Sequence, residues 1–220
     1  MYIKWIVCEV KNNFKKEFST AQEQWIETQN SVGFIGQVGG FDLKSKNIAC
    51  IISFWENENS LKLFMKNIHD KIFLKNNQSE YYNSIRVDYF NSELKMEGEY
   101  DLLIDALNNS KFLRVADCLV KQEKTDHFDN VQKEVWLPEM KESKGMLGGV
   151  FSKNVNNTSH YLVSTFWSSS ENHRKYVETN LQKLKIKSDV KNDIENVIGI
   201  QIILIDTWKI IKTTANKELS

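Results

Sequence analysis

His69 and Gln37 are polar residues in a sequence whose aromatic side chains include Trp25, Trp55 and Phe64. A histidine exchanges a proton near neutral pH, and a glutamine amide can orient a bound polar atom. With indole and phenyl rings as walls, this set suits deprotonation of a flat, electron-rich organic molecule. No stoichiometric metal or haem is expected. Each residue also has a plainer reading: His69 at a helix edge, Trp25 and Trp55 as core. His127, His160 and His173 fall at expected loop or helix-start positions and show no ligand spacing. Cys8, Cys50 and Cys118 are odd in number and far apart, which suggests neither a disulfide framework nor a zinc site.

Other chemistries are disfavoured. No glycine-rich phosphate loop of the dinucleotide or P-loop kind precedes a helix. The 29 basic and 29 acidic residues cancel, so no basic field for nucleic acid exists. No apolar run approaches the roughly 20 residues needed to cross a bilayer, and Met1-Tyr2-Ile3-Lys4-Trp5 lacks signal-peptide features. A cytoplasmic protein with a small-molecule ligand is the expectation. At 41% hydrophobic and 26% charged, the 220 residues suit globular folding in two units of about a hundred residues.

Those side chains need a scaffold, and the scaffold is written twice. Gly33-Phe34-Ile35-Gly36-Gln37-Val38 returns as Gly145-Met146-Leu147-Gly148-Gly149-Val150, a shift of 145 − 33 = 112, which also carries Phe54-Trp55 onto Phe166-Trp167. Tyr2 to Val10 reads as a strand apolar on both faces: Ile3, Trp5 and Val7 on one, Tyr2, Ile6 and Cys8 on the other. A helix is predicted from Ser19 to about Asn30, with Phe18, Ala21 and Trp25 on one side. Gly33 ends it. The glycines of the strand from Phe34 to Phe41 predict a bulge. Ile48 to Trp55 is a central strand. A second helix opens at Glu56 and buries Leu61, Phe64, Met65, Ile68 and Ile72. Tyr82 to Phe90 completes a βαββαβ order.

The order restarts at Phe112 to Val120. Phe128, Val131 and Val135 mark a helix that Pro138 should kink or end. Two strands follow, Gly145 to Phe151 and Tyr161 to Trp167, then a helix burying Tyr176, Val177, Leu181 and Leu184. The last strand is read from Ile198 to Ile210, with Asp206 and Trp208 set against Asp88 and Phe90 at a shift of 206 − 88 = 118. The resulting division is 1–92 first repeat, 93–110 linker with a short surface helix, 111–213 second repeat and 214–220 tail. Each four-stranded sheet has one apolar face that its own helices leave bare. Packing the two faces together gives α+β architecture: two ferredoxin-like repeats closed into an intramolecular dimeric α+β barrel. The chain is then a monomer with an internal pseudo-dimer, or a dimer of such units. Lys4, Arg86, Asp88, Arg114, Asp117 and Asp206 on first and fourth strands suggest cross-strand ion pairs, or else a polar pocket inside the barrel.

Lys4-Trp5-Ile6-Val7-Cys8, the glycine strand from Gly33 to Gly40, Phe54-Trp55 and Phe64-Met65 with His69-Asp70 resemble an uncharacterised bacterial family. So do Phe112-Leu113-Arg114-Val115-Ala116, Trp136-Leu137-Pro138 and Gly145 to Phe151 in the second half. That family sits with the dimeric α+β barrel superfamily, beside antibiotic-biosynthesis and haem-degrading monooxygenases. The resemblance implies a pocket between helices and sheet, with His69 as its acid–base residue and Gln37, Phe64, Trp25 and Trp55 around the substrate. Haem-degrading members use a first-strand asparagine and a second-helix tryptophan; this chain has no such asparagine, and Phe64 stands near the tryptophan's place. The functional expectation is a small-molecule-binding barrel acting as a cofactor-independent monooxygenase on a phenolic or quinol-like substrate. The alternative is a non-catalytic ligand-binding or stress-associated protein. Because His69 becomes Leu181 and Gln37 becomes Gly149, the site is expected in the N-terminal half alone, with a filled core in the other.

Overall fold

Alternating aromatic and branched residues make the first strand, β1 (Tyr2–Val10), as the sequence implies, and in the computed structural model, which describes residues 1–212, both of its faces are covered. Helix α1 (Lys15–Glu23) begins four residues before Ser19 and tightens into a 3-10 stretch at Gln24–Asn30. Gly33 then turns the chain at φ +71°, a conformation that suits glycine. Strand β2 (Phe34–Phe41) carries the expected bulge, its register against β3 (Ile48–Trp55) slipping between Phe34 and Gly36. Helix α2 (Glu58–Phe64) is capped by the Asn57 side chain, which accepts from the Ser60 amide. A wide π turn at Met65–His69 leads into α3 (Asp70–Asn76).

Strand β4 runs Tyr82–Met96, six residues past the expected end at Phe90, because its second part pairs with the second repeat. The first four residues of the expected linker, 93–96, are therefore sheet. Helix α4 (Leu103–Asn109) is no surface helix either. Leu107 is fully buried in the core that Ile3, Phe54 and Phe166 share.

The second repeat follows the first: β5 (Phe112–Val120), α5 (Thr125–Val131), a π turn at Gln132–Trp136, α6 (Leu137–Lys141), β6 (Met146–Asn154), β7 (His160–Trp167), α7 (Ser170–Tyr176), a π turn at Val177–Leu181, α8 (Gln182–Ser188) and β8 (Ile194–Ile203). Pro138 does not end its helix. It lies in the first turn of α6, directly after the π turn, where a proline's missing N–H is tolerated. The last strand differs from expectation. β8 stops at Ile203, Asp206–Trp208 form a 3-10 turn, and β9 (Ile210–Ile211) crosses to pair with β2. Ile3 faces Phe90 and Leu113 faces Ile202, so the fourth strands keep the shift 202 − 90 = 112, and the expected 118 is wrong. Residue 213 and the tail 214–220 lie outside the described residues.

The sheet order is β8-β5-β7-β6-β4-β1-β3-β2-β9. Each half has the ferredoxin-like order, and β4 joins β6 at one seam. At the other seam β2 meets the end of β8 through an Asp42–Ile202 bridge, and β9 adds to its edge. The faces left bare by the helices meet inside, where Ile3, Trp5, Val38, Phe54, Phe90, Val115, Phe166 and Ile202 pack as one core. Two ferredoxin-like repeats thus form an intramolecular dimeric α+β barrel, with helices outside.

The ion pairs divide by face. On the barrel side, Arg86 reaches Asp88 at 3.0 Å and Asp117 at 2.7 Å, and His160 Nε2 meets Asp117 at 2.6 Å, linking the halves. Burial opposes ionisation of Asp117, but the His160 and Arg86 bonds outweigh it and hold the carboxyl below its ordinary range. Asp206 pairs with Lys111 outside the strands. Lys4 and Arg114 correct the expectation of ion pairing: both face the helices, and among the described residues neither has a carboxylate within 4.0 Å.

Candidate functional site

Strand pairing builds the floor of a cavity on the outer face of the N-terminal sheet. Gln37 faces Ser53, Ser53 faces Lys4 and Lys4 faces Tyr89, so four polar side chains cross β2, β3, β1 and β4 in one row. Helices roof the row and leave a cavity of about 250 Å³. All five expected site residues, His69, Gln37, Phe64, Trp25 and Trp55, line it. Sequence reasoning missed Lys4, Ser53 and Tyr89 as site residues. Strand parity held the signal, since Lys4 shares a face with Tyr2, Ile6 and Cys8 rather than with Ile3 and Trp5.

Lys4 is 8% exposed, and the one hydrogen-bond partner of its ammonium among the described residues is the Met65 sulfur, at 3.7 Å. Burial without a counter-ion pulls its pKa down to about 8. His69 ends the π turn, whose extra residue per turn re-aims a side chain and often marks functional sites. Its ring lies 5.2 Å from Trp25, 5.9 Å from Phe64 and stacked 5.8 Å from Phe73. Nδ1 sits 2.9 Å from Asp70 Oδ1. That contact assigns the proton to Nδ1 as donor and leaves Nε2, which has no hydrogen-bond partner among the described residues, as an acceptor. Burial lowers the His69 pKa, Asp70 raises it in part and Lys4 adds to the lowering.

Trp25 and Trp55 have distinct duties. Trp55 is 1% exposed, donates to Ser53 Oγ at 3.1 Å and packs 5.0 Å from Phe64. It is core and cavity wall at once. Trp25 donates to Gln78 Oε1 at 2.8 Å, and Gln78 donates to Gln22 at 3.0 Å, tying α1 to the approach of β4. Gln37 is 7% exposed, and its amide nitrogen has no hydrogen-bond partner among the described residues.

The expected filled core in the C-terminal half is overturned. A second cavity of about 370 Å³ lies there, lined by Leu181 among others. His173, at the start of α7, belongs to its wall. It is 4% exposed and sits among the rings of Phe112, Trp167 and Tyr176. Its place could have been read from the repeat, because 173 − 112 = 61 and Leu61 belongs to the buried stripe.

Two repeats sharing one apolar interior, each with a cavity between its helices and its sheet, define a tandem dimeric α+β barrel. A candidate monooxygenase of Fusobacterium nucleatum subsp. nucleatum ATCC 25586 superposes with a TM-score of 0.79 at 14% identity, over 96% of this chain and 94% of its own. A candidate monooxygenase of Lactobacillus acidophilus NCFM does so with 0.74 at 14% identity, over 96% of both chains. An anthrone oxidase-like protein gives 0.69 at 9% identity, over 96% of this chain and 93% of its own. These likenesses concern the fold.

In sequence, the Uncharacterized protein YdbC of Bacillus subtilis (strain 168) is 37% identical over 95 residues, which are 42% of this chain and 80% of that protein. The chain belongs to the family of that Bacillus protein, and its residues 2–90 match the family model described as Domain of unknown function (DUF4937). The match falls on the half that holds Lys4 and His69. Among the described residues, no helix is long and apolar enough to cross a membrane, and no three His, Cys, Asp or Glu side chains gather as metal ligands do.

Proposed function

We propose that the N-terminal cavity binds an electron-rich phenol or quinol and that the protein is a cofactor-independent monooxygenase. One observation carries this reading: a buried cation without a counter-ion, Lys4, shares an aromatic cavity with a histidine whose Nε2 is free. In water-poor surroundings such a cation stabilises a phenolate strongly. The substrate hydroxyl gives its proton to His69 Nε2, and Lys4 and Gln37 hold the oxygen anion. The electron-rich ring carbon then bonds to oxygen, which takes up the electron pair, and His69 returns the proton to the peroxide. Loss of the ring C–H proton and cleavage of the O–O bond release water and leave a carbonyl. The sum is substrate plus O₂ to quinone plus H₂O.

The solved anthrone oxidase-like neighbour suggests the first substrate to try. Oxygen uptake with anthrone and with 1,4-naphthalenediol tests the reading. His69→Leu is expected to lower kcat at least tenfold with little change in KM, as loss of a group acting on the proton does. Binding without oxygen uptake would instead establish the non-catalytic ligand-binding reading, and absence of both would reject the site. The pH profile gives a second check. Activity needs His69 neutral and Lys4 charged, so the acid limb should fall below the usual histidine range and the alkaline limb near 8. Lys4→Arg should keep activity and remove the alkaline limb, because an arginine stays charged.

A further inference from the structure

We infer that the C-terminal cavity is a second ligand site, selective for an organic monocarboxylate with an aromatic body. The polar row of the first half recurs here in altered form. Thr165 faces Arg114 and Arg114 faces Gln201, at the places of Ser53, Lys4 and Tyr89. A point cation has become a planar fork, which matches a carboxylate through two parallel hydrogen bonds. Room for that fork is built in. A Cβ on Gly199 would lie 2.9 Å from the Arg114 Nη2, so glycine at this strand position leaves space for the guanidinium.

The donors around it are unused. Arg114 Nη1, the Trp136 indole nitrogen and the Tyr176 hydroxyl are buried without hydrogen-bond partners among the described residues, and Tyr176 is only 6% exposed. Leaving such buried groups unmatched is unfavourable, and a bound acceptor removes that cost. Trp136 is free because its counterpart's partner is gone: Gln78 corresponds to Val190, since 78 + 112 = 190. Asp42, whose charge reaches Arg114, is engaged with the backbone amides of Ser45 at 2.9 Å and Gln201 at 3.1 Å. The cavity lining contains Arg114, with Lys44 and Lys185 exposed at the surface, and no aspartate or glutamate. One buried cation balances one negative charge, which favours a monocarboxylate over a phosphate dianion. Phe128, Trp136, Tyr176 and Leu181 supply the walls for an aromatic body.

The experiment is isothermal titration of the full chain with 1-naphthoate and with 1-naphthamide, its neutral analogue. Naphthoate should bind with one equivalent per chain, and the amide at least thirtyfold more weakly. Arg114→Met should abolish the preference for naphthoate, and Gly199→Ala should weaken naphthoate at least tenfold by crowding the guanidinium. Lys4→Met should leave naphthoate binding intact, and Arg114→Met should leave oxygen uptake at the first cavity intact, so the two sites stand or fall separately. Equal binding of acid and amide, tighter binding of 1-naphthyl phosphate, loss of naphthoate binding on Lys4→Met but not on Arg114→Met, or no binding at millimolar concentration would each overturn the inference.

Discussion

Lys4 shows how a site residue and a stability defect can be the same group. Its displacement from 10.5 to about 8 corresponds to a burial penalty of roughly 3 kcal/mol on the charged form. The penalty is complete below pH 8, where the lysine is charged both folded and unfolded. It fades between 8 and 10.5, as the folded protein sheds the proton first. Lys4→Met should therefore raise stability by about 2 kcal/mol at pH 7, with the gain vanishing towards pH 10.5, and urea denaturation at pH 7, 9 and 10.5 measures it. His173 carries the acid counterpart. Burial, and to a lesser degree the Arg114 charge, lowers its pKa to about 4. The unfolded chain takes up this proton first, so stability is lost as pH falls from 6.5 to 4. His173→Leu, which copies Leu61 of the first half, should flatten that decline. An unchanged slope of stability against pH in this window would rule it out.

Elements built from local chemistry were legible in the sequence; elements built by distant partners were not. β1, β2, β3 and β5 were bounded correctly because aromatic and branched runs end at turn residues. The extension of β4 to Met96 and the crossing of β9 depend on β6 and β2, which no local pattern announces. In the candidate site, the aromatic walls and His69 were legible. Lys4 and Arg114 were seen but misassigned, because charge suggested pairing while parity placed them under the helices. Gly33 was legible as the turn after the first helix, whereas Gly145, read as the start of a strand, makes the same turn one residue before β6. They turn the chain at φ +71° and +79°. An added Cβ would stand 2.1 Å from Ser60 Oγ in one half and 2.3 Å from Asn172 Nδ2 in the other, each in the first turn of a capped helix. Gly33→Ala or Gly145→Ala should cost about 2–3 kcal/mol. Thermal unfolding should then begin several degrees lower, and an unaltered midpoint would show that the turn relaxes freely.

The whole molecule depends on burying two sheet faces against each other. A fragment of residues 1–96 contains the complete first sheet but exposes Ile3, Trp5, Val38, Phe54 and Phe90, all fully buried in the intact chain. Patches of that kind mark association surfaces. The fragment should self-associate or precipitate, as sedimentation will show, and a stable monodisperse monomer would contradict the closed barrel. The Arg86–Asp117–His160 link adds polar specificity to that apolar contact. Asp117→Asn should destabilise the full chain above pH 5. The difference should shrink on acidification towards and below pH 3.8, as the wild-type carboxylate itself takes up a proton.

Covalent joining of the halves through β4 and α4 has an evolutionary consequence. In a barrel of two identical chains every substitution is made twice, so both cavities must change in step. A tandem gene removes that constraint and lets each cavity be selected alone. The histidines record the separation: His69 stands where the second half has Leu181, and His173 where the first has Leu61, as if one ring had moved eight residues along the same helix. Lysine in one half and arginine in the other mark the same parting. Duplicated descent here leaves two independent inheritances on one polypeptide.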